Sequence, residues 1–536
     1  MVTAASPDRP NQLPQSTSPQ ESGVRLGELI AALSLAFDLG NNFPPEKALR
    51  NALLAVELGR EIGLEGQPLS DIFYVAQLRY LGCTAFSHEL AAFLGIDELA
   101  ARSLYAPIAS SAAVEAIETT VTKLGKGAGP LRRARAVFKM AMAGKTTLAR
   151  GWVADCEAAG RLASQLGMSK AVCLAIPDVY SAWDGKGLIG RWVQGEGIAL
   201  PARIAFLVHE AEIHHRLGGR NAAIEMVRER SGSDFDPSLA SAFLRIAPQA
   251  LALIEQESVW EPALEAEPQP RPWIPESRLD MVAQAFGNFV DLKSPYMLGH
   301  SAGVSDMAAA AGAAAGLSSE EIVSLRRAGW LHDLGRVSVP NTIWDKRGKL
   351  SVSEWERVRL HPYYGERILA QSPMLRSLSI VVGMHHERLN GTGYHRAASG
   401  SLIPTAARLL AVADVYQAMV EERPHRSALS PTVAAQELTI SARAGQLDRE
   451  AVNAMLSVVG QRPRGRRLAW PADLSEREVQ VLRLAARGKP NREIASLLQI
   501  SENTVHHHVK RIYDKIGVST RAGAALFAMQ NDLLRD

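Results

Sequence analysis

Between residues 300 and 414 the chain carries His300, the adjacent pair His332-Asp333, His361, the adjacent pair His385-His386, and Asp414, in the order and spacing of a binuclear metal site. No other feature limits the fold as much, because residues so far apart in sequence must then converge on one point. Imidazole nitrogen with carboxylate oxygen suits Fe or Mn, with Zn also possible, rather than a thiolate-seeking metal. An adjacent His-Asp pair lets one turn of backbone serve two metals, with Asp333 as the bridge. Two ions ~3.5–4 Å apart clamp the attacking and leaving oxygens of a phosphoryl transfer. A lone histidine is more often a surface or core residue than a ligand. It is the joint fit of seven residues that points to phosphodiester hydrolysis.

The residues around these seven form motifs: HSAGVSDMA at 300–308, WLHDLGRVSVP at 330–340, LHPYYGERIL at 360–369, HHERLNGTGYH at 385–395 and VADVYQAM at 412–419. In this order they resemble the HD-GYP phosphodiesterases, a subgroup of the helical HD superfamily. The resemblance runs over about 295–460, and it takes the set rather than any one motif to be specific. It implies a helical fold, two divalent metal ions, hydrolysis of a cyclic dinucleotide such as cyclic di-GMP, and all seven residues as ligands. It further implies catalytic roles for Asp333 and Arg336, and phosphate contacts from Arg336, Arg423 and Arg426.

The chain departs from the family at the rim. Arg336 replaces a lysine, which keeps the charge but offers a fork rather than a point. Asn390 replaces an aspartate and His395 a proline, and the usual basic segment reads Arg423-Pro424-His425-Arg426-Ser427. Tyr296 stands where some members place a carboxylate for a third metal, which favours two. Two other readings stay open: a sensor that binds a nucleotide or metal without turnover, and a pair of scaffolds that only dimerise the rest of the chain.

The segment 474–534 reads as a helix-turn-helix. Leu474, Val479, Leu482 and Ala485 follow helical spacing around Ser475, an N-cap residue. Gly488 ends that helix, Asn491 is placed to cap a second, and Ser501 caps a third with Val505, Val509, Ile512 and Ile516 inward. This stretch resembles the LuxR-type DNA-binding domain. The third helix is then the recognition helix in the major groove. His506, His507 and Lys510 fall at base-contacting positions, with Arg511 also outward and Arg492 and Thr504 near phosphate. The resemblance implies double-stranded DNA as partner and a homodimer on DNA through the last helix, about 520–534. From residue 461 onward there are fourteen Lys/Arg against eight Asp/Glu, in a chain whose totals are 59 and 56. The basic excess thus lies where phosphates would be neutralised.

The first half reads as a worn copy of the second. A shift of 253 residues aligns Lys47 with His300 and Gly82 with Gly335 without a gap. Where the second copy has its seven ligands, the first has Lys47, Arg79, Tyr80, Cys156, Val179, Tyr180 and His209. Lys47 and Arg79 would repel a metal, so this copy is expected to be metal-free and structural or regulatory. His209, like His214 and His215, reads as a helix-surface histidine without partners. Gly144-Lys145-Thr146 ends like a phosphate-binding loop, but Lys139 stands where that loop begins with glycine.

Strand-like alternation is nearly absent, so an all-α chain is expected: two HD-superfamily helical domains in tandem, then a small four-helix LuxR-type domain. The boundaries read as a disordered Ser/Pro/Gln-rich 1–22, a degenerate copy at 23–254, a Pro/Glu-rich linker at 255–275, the metal-bearing copy at 276–460, a basic linker at 461–472, and the DNA-binding domain at 473–536. At 47% hydrophobic and 21% charged, with no apolar run long enough to span a bilayer, the expectation is a cytoplasmic protein with no membrane partner.

Overall fold

Helices begin where a short polar side chain precedes an apolar run, because that side chain accepts from the first free amides. In this computed structural model, which describes residues 23–108, 113–126, 128–186, 193–459 and 470–534, the helix limits repeat along the chain. After strand β1 (Gly23–Arg25) come α1 (Leu26–Gly40), α2 (Lys47–Glu61) and α3 (Gly66–Leu78). Further along the first half lie α4 (Pro130–Gln165), α5 (Leu200–Glu229) and α6 (Pro237–Leu253), among shorter helices. Then follow α7 (Trp260–Ala266), β2 (Trp273–Pro275), α8 (Leu279–Asp291), α9 (His300–Ala314) and α10 (Ser319–Leu331).

Both ends of α2 and α9, and both ends of α3 and α10, are offset by 253 residues. Later helices of the second half include α11 (His361–Leu369), α12 (Arg376–Gly383), α13 (Thr405–Val420) and α14 (Arg449–Val458). Helices α6 and α14 start alike. Asp236 caps α6 and takes Arg203 at 2.6 Å, while Asp448 caps α14 and takes Arg408 at 3.1 Å. Gly82 and Gly335 also play one role: a Cβ on Gly82 would collide with the Asp155 carbonyl, and one on Gly335 with that of His361. The residue opposite Gly82 is therefore Asp155, one position before the Cys156 that the sequence alignment paired with His361.

The two halves share one core. Phe37 of α1 lies 5.9 Å from Phe286 and 5.2 Å from Phe289 of α8, ring centre to ring centre, and all three are buried. Each such burial is worth ~1.5–3 kcal/mol. Strands β1 and β2 pair antiparallel, Val24 opposite Ile274. These three-residue strands were not foreseen, being too short to show alternation. The segment read as a linker holds α7 and β2, and its Glu267 accepts from Tyr74 at 2.8 Å in the interior. Gly144-Lys145-Thr146 lies inside α4, so no phosphate loop exists there.

The C-terminal domain comprises α15 (Glu476–Ala486), α16 (Asn491–Leu498), α17 (Glu502–Ile516) and α18 (Arg521–Gln530). Ser475 and Ser501 cap α15 and α17 as expected, but α16 has Pro490 at its cap position, and Asn491 is its first helical residue. Helix α18 packs against α4 and α8 of the same chain. Glu157 of α4 accepts from the Ser519 amide and hydroxyl at 3.0 and 3.1 Å, Arg161 donates to the Ile516 and Gly517 carbonyls at 2.9 Å, and Gln530 donates to Gln165 at 2.9 Å. The helix expected to mediate a dimer is thus covered within the chain. Residues 1–22 and the basic Arg462, Arg464, Arg466 and Arg467 lie outside the described residues. Among the described residues, no helix is long and apolar enough to cross a membrane.

Candidate metal centre

Helix ends deliver six of the seven side chains to one place, and the middle of a helix delivers the seventh. His300 opens α9, His332 and Asp333 follow α10, His361 opens α11, His385 and His386 follow α12, and Asp414 lies within α13. Three imidazoles are oriented by their own backbone: His332, His361 and His385 each share a short hydrogen bond from Nδ1 to the carbonyl three residues earlier, at 2.8, 2.7 and 2.6 Å. Nδ1 is then the protonated nitrogen, and Nε2 keeps its lone pair for the site.

The distances place Asp333 between two groups. Its Oδ1 is 3.2 Å from His361 Nε2, and its Oδ2 is 3.5 Å from His332 Nε2 and 3.9 Å from His300 Nε2. Asp414 lies 3.2 Å from His300 and 3.7 Å from His386. One triad is His300, His332 and Asp333, and the other is His361, His385 and His386; within each the donor atoms lie within 4.8 Å of one another. His332 Nε2 is buried and has no hydrogen-bond partner among the described residues. Leaving such an acceptor unpaired costs ~1–3 kcal/mol, and a cation would relieve it. The donor set fits divalent metal.

The electrostatics agree. Burial pushes the His385 pKa down to about 3 and also lowers those of His332 and His386, so these rings stay neutral, as ligands must. Burial opposes the charge on Asp333 and Asp414, yet Arg336 beside the first and His300 beside the second hold both carboxyls well below the usual range. His300 is the exception: burial opposes its charge, but Glu421 and Asp414 outweigh it and push its pKa up to about 10, so a metal there would displace a proton from the ring. The site attracts positive charge.

Glu421 escaped the sequence reading. It lies seven residues after Asp414, on the same face two turns on, and its Oε2 is 2.8 Å from His300 Nδ1 and 2.9 Å from Arg423. Gln417 donates to its other oxygen at 2.7 Å. A cavity of about 380 Å³ opens over the site, walled in part by Arg336, Arg388, Tyr394 and Arg423. The Tyr394 ring stacks on His386 with centres 4.3 Å apart. Arg336 donates to Asp333 at 2.7 Å and lies 3.8 Å from the centre of the Trp344 ring. Arg426 departs from expectation. Although it borders the cavity, its two Nη groups donate to the carbonyls of Ala418, Met419, Glu421 and Ser427, so it clamps the loop and is not free for phosphate.

In the first half, Lys47 Nζ lies 2.7 Å from His209 Nδ1 and 3.2 Å from Glu212, with Tyr80 OH 3.0 Å from His209 Nε2. His209 is therefore an interior residue with partners, not a helix-surface one. A fixed ammonium sits among the residues that match the metal ligands.

On the C-terminal domain, Arg492, His506, His507, Lys510 and Arg511 are exposed along one side, with Thr504 partly so. Val505, Ile512 and Ile516 are buried on the other side of α17 and Val509 packs beside them. The face that would read DNA is open while α18 is covered.

An all-helical chain with this His/Asp cluster and a capped helix-turn-helix defines an HD domain joined to a LuxR-type DNA-binding domain. Residues 284–451 match the HD domain family, and residues 472–528 match the bacterial regulatory proteins of the luxR family. Over 407 residues the chain is 29% identical to the 3'3'-cGAMP-specific phosphodiesterase 3 of Vibrio cholerae, covering 75% of this chain and 88% of that one. It is 35% identical over 144 residues to the cyclic di-GMP phosphodiesterase response regulator RpfG of Xanthomonas campestris, covering 26% and 38%. A crystal structure of a cyclic GMP-AMP specific phosphodiesterase from V. cholerae superposes with a TM-score of 0.58 at 25% identity, covering 82% of this chain and 99% of that one. The chain is thus homologous to the HD-GYP phosphodiesterases of cGAMP and cyclic di-GMP, and it carries a LuxR-type domain at its C-terminal end.

Proposed function

We propose that this protein is a cytoplasmic, DNA-binding transcription regulator whose HD domain, about 276–460, is a metal-dependent hydrolase of a 3'3'-linked cyclic dinucleotide. The observation that carries this reading is the convergence of six of the seven residues as two triads, with Asp414 beside both and the buried His332 Nε2 left without a partner. His300, His332 and Asp333 would hold one divalent ion, and His361, His385 and His386 the other. Asp333 and Asp414 each lie within reach of histidines from both groups. Fe or Mn suits these donors, with Zn possible. When bound, the ions supply Lewis acidity and an activated water for in-line attack on phosphorus.

The remaining work falls to the chain. Arg336 and Arg388 line the cavity as cations for the phosphates, Arg423 is held there by Glu421 and the Tyr296 carbonyl, and Tyr394 offers a ring face to a base. Glu421 holds the His300 ring in place. The first half, about 23–254, is a duplicated HD fold in which Lys47 and Arg79 take the place of metal charge. The domain at 473–536 binds double-stranded DNA, with His506, His507 and Lys510 toward bases and Arg492, Thr504 and Arg511 toward the backbone.

One observation favours a second reading, a sensor without turnover: Arg336 is already paired with Asp333, the residue placed to bridge. Incubating the Mn- or Fe-loaded chain with 3'3'-cGAMP and with cyclic di-GMP separates the two. Linear dinucleotide formed by the wild type and not by Asp333→Asn supports the hydrolase. Binding of either nucleotide with no linear product supports the sensor.

A further inference from the structure

The first half encloses a cavity of about 210 Å³ whose walls include Arg79, Tyr80, Asp155, Tyr180 and His209. These match the second half's His332, Asp333, His361, His386 and Asp414, so the cavity occupies the place of the metal centre. Its polar groups are largely satisfied by one another. Tyr80 reaches His209 at 3.0 Å, and Tyr180 donates to the Arg79 carbonyl at 3.3 Å. Two of the charges are paired: Arg102 lies 3.7 Å from Asp155, and Arg230 lies 3.1 Å from Glu210, while the buried Arg79 guanidinium meets the Val179 carbonyl and the Tyr180 ring rather than a carboxylate. What remains facing the space is mostly aromatic and aliphatic surface, including Leu148 and Ala101.

Two donors are left over. Arg79 Nε and Trp152 Nε1 are buried and have no hydrogen-bond partner among the described residues, and both side chains line the cavity. Each such orphan costs ~1–3 kcal/mol, which an acceptor on a ligand would recover. For scale, an apolar cavity of ~150 Å³ accommodates benzene. The space here fits one substituted ring and not a nucleotide.

We propose that this cavity is a binding site for a small, mostly apolar molecule, one ring in size, that carries one hydrogen-bond acceptor such as a carbonyl. The site is placed to report its occupancy. Trp152 and Asp155 stand on α4, and the next turns of the same helix carry Glu157, Arg161 and Gln165, which hold the DNA-binding domain. The proposal rests on the first half being metal-free but not on turnover in the second half.

The test is calorimetric titration of the full chain with acetophenone and with α-methylstyrene, which has the same shape with a methylene in place of the carbonyl oxygen. The wild type should bind acetophenone about tenfold more tightly, the worth of one recovered donor. Trp152→Phe keeps a ring but removes its N–H and should bring that preference to about twofold. Ala101→Leu should weaken both probes by filling the space. Failure of the wild type to bind either probe at millimolar concentration would overturn the site. Equal affinity for the two probes would overturn the acceptor assignment, and titrations unchanged by both substitutions would place the binding elsewhere.

Discussion

Replacing Glu421 by glutamine isolates the one residue of the centre that no motif announced. Glu421 accepts from His300 Nδ1 at 2.8 Å and from Arg423 at 2.9 Å. Burial works against its charge, but His300 and Arg423 hold its carboxyl below the usual range. A charge-assisted hydrogen bond of this kind is worth ~1.5–3 kcal/mol. Carboxylates that orient ligating histidines typically change metal affinity or activity ~10–100-fold when removed, which is ~1.4–2.7 kcal/mol. The two estimates agree, so Glu421→Gln should raise the Mn dissociation constant, measured by competition with a chromogenic chelator, by about that factor. Activity at saturating metal should fall less than activity at limiting metal. A dissociation constant within twofold of the wild type would refute the orienting role.

Three further outcomes follow from the C-terminal domain. Arg492→Ala on the exposed face of α16 should weaken binding to a random duplex and reduce the slope of log affinity against log salt by about 1; an unchanged slope would remove Arg492 from the phosphate contacts. The pair Glu157→Ala and Arg161→Ala deletes the contacts to residues 516–519, worth roughly 2 kcal/mol together at this partly exposed seam. Amide exchange in α18 should therefore speed up while that in α9 and α10 stays the same, and equal rates in α18 would show that these contacts do not hold the domain. Glu478 joins Ser475 in a capping box and meets Lys515 at 2.7 Å; burial resists its charge, but these partners pull its pKa down to about 2. A depressed carboxyl stabilises above its unfolded value of ~4.3 and loses that contribution as pH falls toward about 2. The wild type should thus melt above Glu478→Gln at pH 7, with the gap closing from pH 5 to pH 2; a gap independent of pH would contradict the assignment.

The seven His and Asp residues were legible because their chemistry and order are restrictive even without a structure. The helix-turn-helix was legible because Ser475 and Ser501 cap it and Gly488, at φ 80°, can adopt the left-handed turn that ends α15. Glu421 was not, since a single carboxylate at a helix end carries no pattern until the fold brings His300 beside it. Arg426 was misjudged for a related reason. A guanidinium near a phosphate site and one tied to backbone carbonyls look alike in sequence, and only the loop geometry separates them. His209 looked like a surface histidine because its partners, Lys47 and Tyr80, lie more than a hundred residues away. The one-residue error at Cys156 arose where the copies differ in length, and the close approach of Gly82 to Asp155 corrects it. The docking of α18 on α4 is a tertiary contact between distant helices of ordinary composition, and nothing local encodes it.

The most direct test of the central claim is the metal content of the full chain purified anaerobically. The wild type should carry about two equivalents of Fe or Mn per chain, with a clear loss in His332→Ala, which removes the buried nitrogen left without a partner. No bound metal in the wild type, or the same content in the variant, would contradict it.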